Sequence, residues 1–416
     1  MEEVSVIGFG AMGSGIAELF AMNGYVTNIY EISSEIIKKN YSGVEWSLRK
    51  LAERGAIRES PSEIMGRLRF RESLADAVRN SDLIVEAVNE NPDVKLSVFN
   101  EAGKHAPNTA LLTTNTSSIS ITYLQSSLGD DVRGRFAGFH FFNPPVLMRL
   151  VEIVRGRFTT DDVVNSLADV ARALGKTPVM VNRDVRGFVA NRIFRALRYQ
   201  SFILYARKIY DYREIDSALM NRLGLPMGIF ALTDFTGGVK IESEEAGLYD
   251  IVRKSVPDYE PSAGYDAAFR EALKLMTSMV HEGRTGVAAG RGFYEYPGPG
   301  KWAKPDLPPE LGERVNMLHL LAPMINHAFC MVGCGISTEG DIDRALKLGY
   351  NWPRGIFEIY RQDYGPGEVV GALRELQTRI AGLSAFYEPD RLLLESSRRL
   401  TDDQQASDMG RRGEAG

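Results

Sequence analysis

The stretch Val4-Ser-Val-Ile7-Gly8-Phe-Gly10-Ala-Met-Gly13-Ser-Gly15 decides the first half of the chain. An apolar run with β-branched residues leads directly into a Gly-x-Gly-x-x-Gly turn, and a helical pattern follows it. In that setting each glycine has a physical task. Gly8 permits a tight turn, Gly10 lets the backbone approach a pyrophosphate, and Gly13 allows a helix to pack closely on the strand, while free N–H groups at the helix start face the anion. A second β-like run, Val26 to Tyr30, ends at Glu31, 23 positions after Gly8. A carboxylate there accepts hydrogen bonds from the adenosine ribose and repels the extra phosphate of NADP, so the reading is a dinucleotide site that takes NAD.

Working outward, Leu83 to Val88, Ala110 to Thr114 and Arg135 to Phe139 alternate with amphipathic stretches, a rhythm that implies a mainly parallel sheet. Val151 to Val154 and Pro178 to Val181, on either side of a helix over 161–174, extend it. Beyond Gly187 strand signals nearly vanish and long amphipathic helical patterns take over, punctuated by Gly and Pro. This second region repeats itself. Ile215-Asp-Ser-Ala-Leu219 recurs as Ile342-Asp-Arg-Ala-Leu346, and Pro226-Met-Gly-Ile-Phe230 as Pro353-Arg-Gly-Ile-Phe357, both displaced by 127 positions. The expected fold class is an α/β Rossmann-type doubly wound sheet followed by an all-α region made of two repeated helical modules. The expected domains are 1–184 for the sheet, 185–300 for the first helical module, 301–387 for a second, degenerate one, and 388–416 for a partly disordered tail.

Composition bounds the partners. The chain has 416 residues, 44% of them hydrophobic and 25% charged, with a net charge of -5. That balance argues against a basic field for nucleic acid or anionic membrane and points to a small-molecule ligand. With neither a signal-peptide pattern nor an apolar run of bilayer length, the expected location is cytoplasmic. Cys330 and Cys334 alone exclude a disulfide framework, no nearby His or Cys pair completes a zinc site, and their spacing suits one buried helical face.

Polar residues gather where a plain sheet would end in small loop residues: Asn115-Thr-Ser117-Ser118, His140-Phe-Phe-Asn143-Pro-Pro, and Leu150-Val-Glu152-Ile-Val. Together with Gly187-Phe-Val-Ala-Asn191-Arg, and in this order, they resemble the motifs of the 3-hydroxyacyl-CoA dehydrogenase family over roughly residues 1 to 385. The resemblance implies NAD-dependent oxidation of an L-3-hydroxyacyl-CoA to the 3-oxo thioester. It makes His140 the catalytic base and Glu152 the acid behind it. This pairing is chemically sensible, because imidazole titrates near neutrality and a carboxylate on its other nitrogen fixes the tautomer and favours the imidazolium that forms. By the same resemblance Ser117 and Asn191 hydrogen-bond the reacting oxygen and substrate, and Asn115, Glu90 and Lys95 line the nicotinamide half of the cofactor. His105, His281, His319 and His327 have no such setting.

The helix after the second strand carries Lys38, Lys39, Arg49, Lys50, Arg54 and Arg58. It is either a surface for the phosphates of coenzyme A, with Ser47 and Arg54 matching the family's contacts, or a solvated face paired with Glu45, Glu53 and Glu59. Two departures stand out: the family usually has aspartate where this chain has Glu31, and the spacing from Ser117 to His140 is slightly long. Many relatives carry one helical module and dimerise through it. Two modules, as in multifunctional fatty-acid oxidation subunits, make a monomer feasible, with a homodimer as the alternative and one active site per chain. The resemblance places a junction to a hydratase module near Phe386-Tyr-Glu-Pro-Asp390, soon after which the sequence stops, so dehydrogenase activity without hydratase activity is expected. Rival readings are a dehydrogenase of free 3-hydroxy sugar acids, of the lens-crystallin type, and a non-catalytic NAD-binding protein.

Overall fold

A computed structural model describes residues 1–365 and 367–397. The chain divides into two compact units, Met1–Phe188 with Lys254–Tyr259, and Val189–Arg253 with the chain from Glu260 onward.

The first unit runs β1 (Glu3–Ile7), α1 (Ala11–Met22), β2 (Val26–Tyr30), α2 (Ser34–Glu53), α3 (Pro61–Met65), β3 (Leu68–Phe70), α4 (Leu74–Val78), β4 (Leu83–Glu86), α5 (Pro92–His105), β5 (Leu111–Thr114), α6 (Ile121–Gln125), α7 (Asp130–Arg133), β6 (Phe136–Phe141), β7 (Leu150–Val154), α8 (Asp161–Ala173) and β8 (Thr177–Val181). These strands form one eight-stranded sheet in the order β3-β2-β1-β4-β5-β6-β7-β8. All pairs are parallel except β6 with β7, which a short loop joins antiparallel. Burial on both faces explains why the strands read as apolar runs: Val4, Val6, Ile84, Leu112, Phe139 and Ile153 are all fully buried. The amphipathic α8 turns Val163, Val164, Leu167, Val170 and Ala171 inward. At roughly 1.5–3 kcal/mol for each large side chain, that stripe is what docks it.

Three differences from the sequence reading have physical causes. β3 escapes a pattern search because it has 3 residues and lies on the sheet edge with Arg69 exposed. β4 stops at Glu86 because the Val88 amide turns back onto the Glu86 carboxylate, at 2.7 Å. β6 begins one residue late and runs on to Phe141, so His140 sits inside a paired strand. The outlying segment Lys254–Tyr259 goes with this unit through Asp258, which pairs with Arg157 at 2.7 Å and accepts from Arg183 through its carbonyl at 3.0 Å.

The second unit is helical apart from short bridges around Gly286–Lys301. Its helices are α9 (Ala190–Ala206), α10 (Tyr212–Arg222), α11 (Ile229–Thr236), α12 (Gly238–Ser255), α13 (Ala263–His281), α14 (Met317–Gly333), α15 (Glu339–Gly349), α16 (Ile356–Asp363), α17 (Glu368–Arg379) and α18 (Ser384–Tyr387). α9 packs against α13, α14 and α15, and its buried residues lie all round it rather than on one stripe. The starts of α14, α15 and α16 follow those of α9, α10 and α11 by 127 positions each. The recurring motifs have a common geometry. Asp216 accepts from the Phe230 and Ala231 amides at 2.9 Å each, and Asp343 from Phe357 and Glu358 at 2.9 and 3.2 Å, so each acid caps the helix that follows its own. The glycine of each motif makes room for the acid: a Cβ on Gly228 or on Gly355 would lie 2.1 Å from the carboxyl carbon of Asp216 or Asp343. Past α18, residues 391–397 are helical, and the part of the tail from about Leu400 that was expected to be disordered lies outside the described residues.

Candidate active site

The sheet order reverses beside β1, which has β2 on one side and β4 on the other, so a crevice opens at the carboxyl ends of β1 and β4. The glycine turn lies there. Gly8 has φ +93° and its Cβ would meet the Ala87 carbonyl at 2.6 Å, while a Cβ on Gly13 would meet the Gly8 carbonyl at 2.0 Å; both are required by the chain itself. A Cβ on Gly10 meets nothing within 4 Å. That open approach, at the N-cap of a helix with no side-chain cap and no acid in its first turn, fits a pyrophosphate. Glu31 braces the turn, its carboxylate accepting from the Phe9 and Ser33 amides at 2.9 Å each.

At the far side of the same sheet His140 on β6 stands directly opposite Glu152 on β7. Their side chains meet, Nδ1 to Oε2 at 2.7 Å, with Glu152 fully buried and His140 6% exposed. A carboxylate only accepts, so the proton of this bond sits on Nδ1. The imidazole is flanked by Phe142, at 4.7 Å between ring centroids, and by Phe188 at 5.6 Å. Phe188 holds φ +55°, a left-handed conformation unfavourable for an aromatic residue.

The loop after β5 joins these two ends. Asn115 Oδ1 accepts the Phe141 amide at 2.8 Å and so fixes the strand next to His140. Glu90 gathers the rest: it accepts from the Thr116 hydroxyl, from the Ser117 and Ser118 amides at 3.2 and 3.3 Å, and from the Ser118 hydroxyl at 2.9 Å. Lys95 is buried between Glu86 at 2.7 Å and Glu90 at 3.1 Å. Partial desolvation opposes the charge on Glu90, but the Lys95 ammonium and the hydroxyls of Thr116 and Ser118 outweigh it and hold the carboxyl below the usual range. Burial pushes the Glu86 carboxyl up, against the pull of Lys95. Glu86 was not singled out from sequence, although an acid inside the apolar run Leu83-Ile-Val was the available signal.

Other expected residues lie elsewhere. Ser47 is half-buried on α2, where its side chain bonds the Glu18 carboxyl, and Arg54, two turns on, is exposed at the helix C-cap. Of the neighbouring charges, Lys50 pairs with Glu53 at 2.7 Å and Glu59 pairs with Arg67. Asn191 is in the helical unit, in the first turn of α9, where its Oδ1 accepts the Tyr350 hydroxyl at 2.5 Å. The arginine after it, Arg192, is fully buried against Glu260 in a two-pronged ion pair of 3.0 and 2.6 Å. Among the described residues no group of His, Cys, Asp or Glu is arranged to hold a metal, and no helix is long and apolar enough to cross a membrane.

A glycine turn open to a pyrophosphate, an acid at the end of β2 and a carboxylate-backed histidine on the same sheet define an NAD-dependent dehydrogenase. Comparison with known proteins makes the class specific. Residues 3–185 match the 3-hydroxyacyl-CoA dehydrogenase NAD binding domain, and residues 187–296 and 317–380 match the C-terminal domain of the same enzymes. The mitochondrial hydroxyacyl-coenzyme A dehydrogenase of Sus scrofa is 33% identical over 303 residues, 71% of this chain and 91% of that protein. Among solved structures, (S)-3-hydroxybutyryl-CoA dehydrogenase from Ralstonia eutropha is 29% identical with a TM-score of 0.63, covering 71% of this chain and 99% of its own. A 3-hydroxybutyryl-CoA dehydrogenase from Escherichia coli, 24% identical, shares the fold over 96% of this chain and 99% of its own, with a TM-score of 0.79. The chain belongs to the 3-hydroxyacyl-CoA dehydrogenase family.

Proposed function

We propose that the protein oxidises the 3-hydroxyl group of an L-3-hydroxyacyl-CoA to the ketone, reversibly, with His140 as general base and Glu152 orienting it. The 2.7 Å bond between His140 Nδ1 and Glu152 carries this reading. It leaves Nε2 to take the hydroxyl proton, and the carboxylate behind the ring stabilises the imidazolium that results. NAD, when bound, accepts the hydride from the same carbon. In the reverse direction the imidazolium returns the proton to the developing alkoxide. Phe142 and Phe188 restrict the ring and keep water from it.

Ser117 and Asn191 orient the reacting oxygen and the thioester. Support for Ser117 comes from Glu90, which fixes the backbone of its loop, so that the hydroxyl is presented by a rigid turn. Asn115, Glu90 and Lys95 serve the nicotinamide end. Ser47 and Arg54 contribute to a coenzyme A surface on α2; in support, Arg54 makes no ion pair among the described residues. The common 127-residue displacement of three helices and the twice-built aspartate cap support two copies of one helical module, the second packed on the first through α9 and α14. That packing is the basis for a functional monomer, which size measurement in solution tests; an obligate dimer closed through the second copy would sink it.

The activity is tested by following the NADH absorbance band with acetoacetyl-CoA, free acetoacetate and 3-dehydro-gulonate, each with NADH and with NADPH. Oxidation of NADH with the thioester alone is expected. Turnover of the free acids alone would move the protein to a sugar-acid chemistry, and no turnover would leave a cofactor-binding protein.

A further inference from the structure

The contact between Tyr350 and Asn191 joins residues 159 positions apart and reaches from the second helical stretch to the first. It is a built contact. The Tyr350 ring lies flat on Phe194, one turn after Asn191 on α9, with centroids 4.0 Å apart and planes 7° from parallel. Its backbone is fixed as well, at the C-terminal end of α15, where Tyr350 and Trp352 both donate to the Leu346 carbonyl, at 3.1 and 3.3 Å, around Asn351 at φ +55°. The first stretch ends α10 with the same turn: Leu225 donates to the Leu219 carbonyl at 3.2 Å around Gly224 at φ +75°. The residue there is Leu223, which has no hydroxyl. One of two matching turns therefore carries a tyrosine, and its hydroxyl ends on a residue of the catalytic motif.

An asparagine amide has one acceptor oxygen and one nitrogen with two donors, and its two faces are nearly equal in shape. Left alone, either end can turn to a ligand. The Tyr350 hydroxyl bonds one end of the amide, and in the structure that end is Oδ1, which turns Nδ2 the other way. In this orientation Nδ2 is the end turned outward to donate, which suits a substrate oxygen that accepts in both the hydroxyl and the ketone state. The bond also removes rotamer freedom that the side chain would otherwise lose on binding.

We propose that Tyr350 is a positioning residue for the reaction, holding the Asn191 amide so that Nδ2 faces the thioester substrate. The second helical stretch then contributes to the chemistry instead of serving packing alone. This rests on the reading of Asn191 as a substrate-orienting residue.

The test is a double-mutant cycle with acetoacetyl-CoA and NADH on the full chain, using Tyr350→Phe, Asn191→Ala and the pair. Tyr350→Phe keeps the stack and deletes the hydroxyl. Its kcat/KM for the thioester should fall roughly 3- to 30-fold, with the KM for NADH and the Tm unchanged. Asn191→Ala should lower kcat/KM roughly a hundredfold, and adding Tyr350→Phe to it should cost nothing further. NADH binding by fluorescence confirms that each variant is folded. A Tyr350→Phe enzyme that equals wild type, or that loses the same factor with and without Asn191, would overturn the proposal while leaving the function intact. If Asn191→Ala itself turned over like wild type, the reading of Asn191 would fail and the role of Tyr350 with it.

Discussion

Glu152 in the sheet unit and Asp216 in the helical unit are both fully buried carboxylates, yet their surroundings assign them opposite work. Asp216 is saturated by two helix amides and by the Tyr294 hydroxyl, at 2.9 Å each. None of those donors changes its protonation in water near neutral pH, so the acid serves as a rivet. Glu152 meets an imidazole, a partner whose charge changes as a proton comes and goes. Burial of an acid therefore says little about function until its donors are named. Within the sheet unit, Glu31, braced by backbone amides, differs in the same way from the ammonium-paired Glu86.

The largest expected effect breaks the active pair. His140→Gln should lower kcat a hundredfold or more, and Glu152→Gln by a factor of the order of 10²–10⁴, while NADH affinity stays within about threefold. Steady-state rates beside fluorescence titration of NADH measure both. An unchanged kcat in either variant would mean that the 2.7 Å bond is only structural.

Breaking the rivets should do the reverse. Asp216→Ala strips partners from three buried donors and should cost about 3 kcal/mol of stability, and Asp343→Ala, with one buried and one part-buried donor, about 1–2 kcal/mol. Turnover per folded molecule should change less than about twofold. Urea unfolding read against active-site-normalised rates separates the two quantities, and a stable but inactive Asp216→Ala would erase the distinction between the units.

A third buried acid sharpens the comparison at smaller scale. Glu18 on α1 has Oε1 without a hydrogen-bond partner among the described residues, and burial raises its carboxyl to about 7, with the Ser47 hydroxyl pulling the other way. The folded state holds this proton more tightly than the unfolded chain does. Stability from Glu18 is therefore full below the ordinary carboxyl value and is lost as pH rises from about 4.5 to about 7. Glu18→Gln should remove that slope. In urea midpoints it should gain about 1–3 kcal/mol over wild type at pH ~8 and nothing near pH ~4. Parallel profiles for the two proteins would show that Glu18 is neutralised by other means.

The sheet was legible because its strands are apolar runs set at regular intervals, and the glycine turn because strand, glycines and acid fall in order. The 127-residue repeat was legible as a pattern, but its cause was not. A side chain that caps a helix starting 13 residues later is a tertiary event, which no local rule registers at Asp216. β3 was too short to show a period. His140 and Glu152 lie close enough in sequence for neighbouring strands to pair them, whereas Tyr350 could not be connected with Asn191 without the packing of α9 against α15. Glu86 was hidden by its own setting, since a strand burying both faces leaves an internal acid looking like an exception rather than an anchor.

The three glycines of the first turn answer to different masters. Gly8 and Gly13 answer to neighbouring backbone, which a methyl group would strike, and Gly10 answers to nothing in the chain. A population of variants sorted only for folding would hold the first two fixed and let the third drift to alanine without a trace in the sorted property.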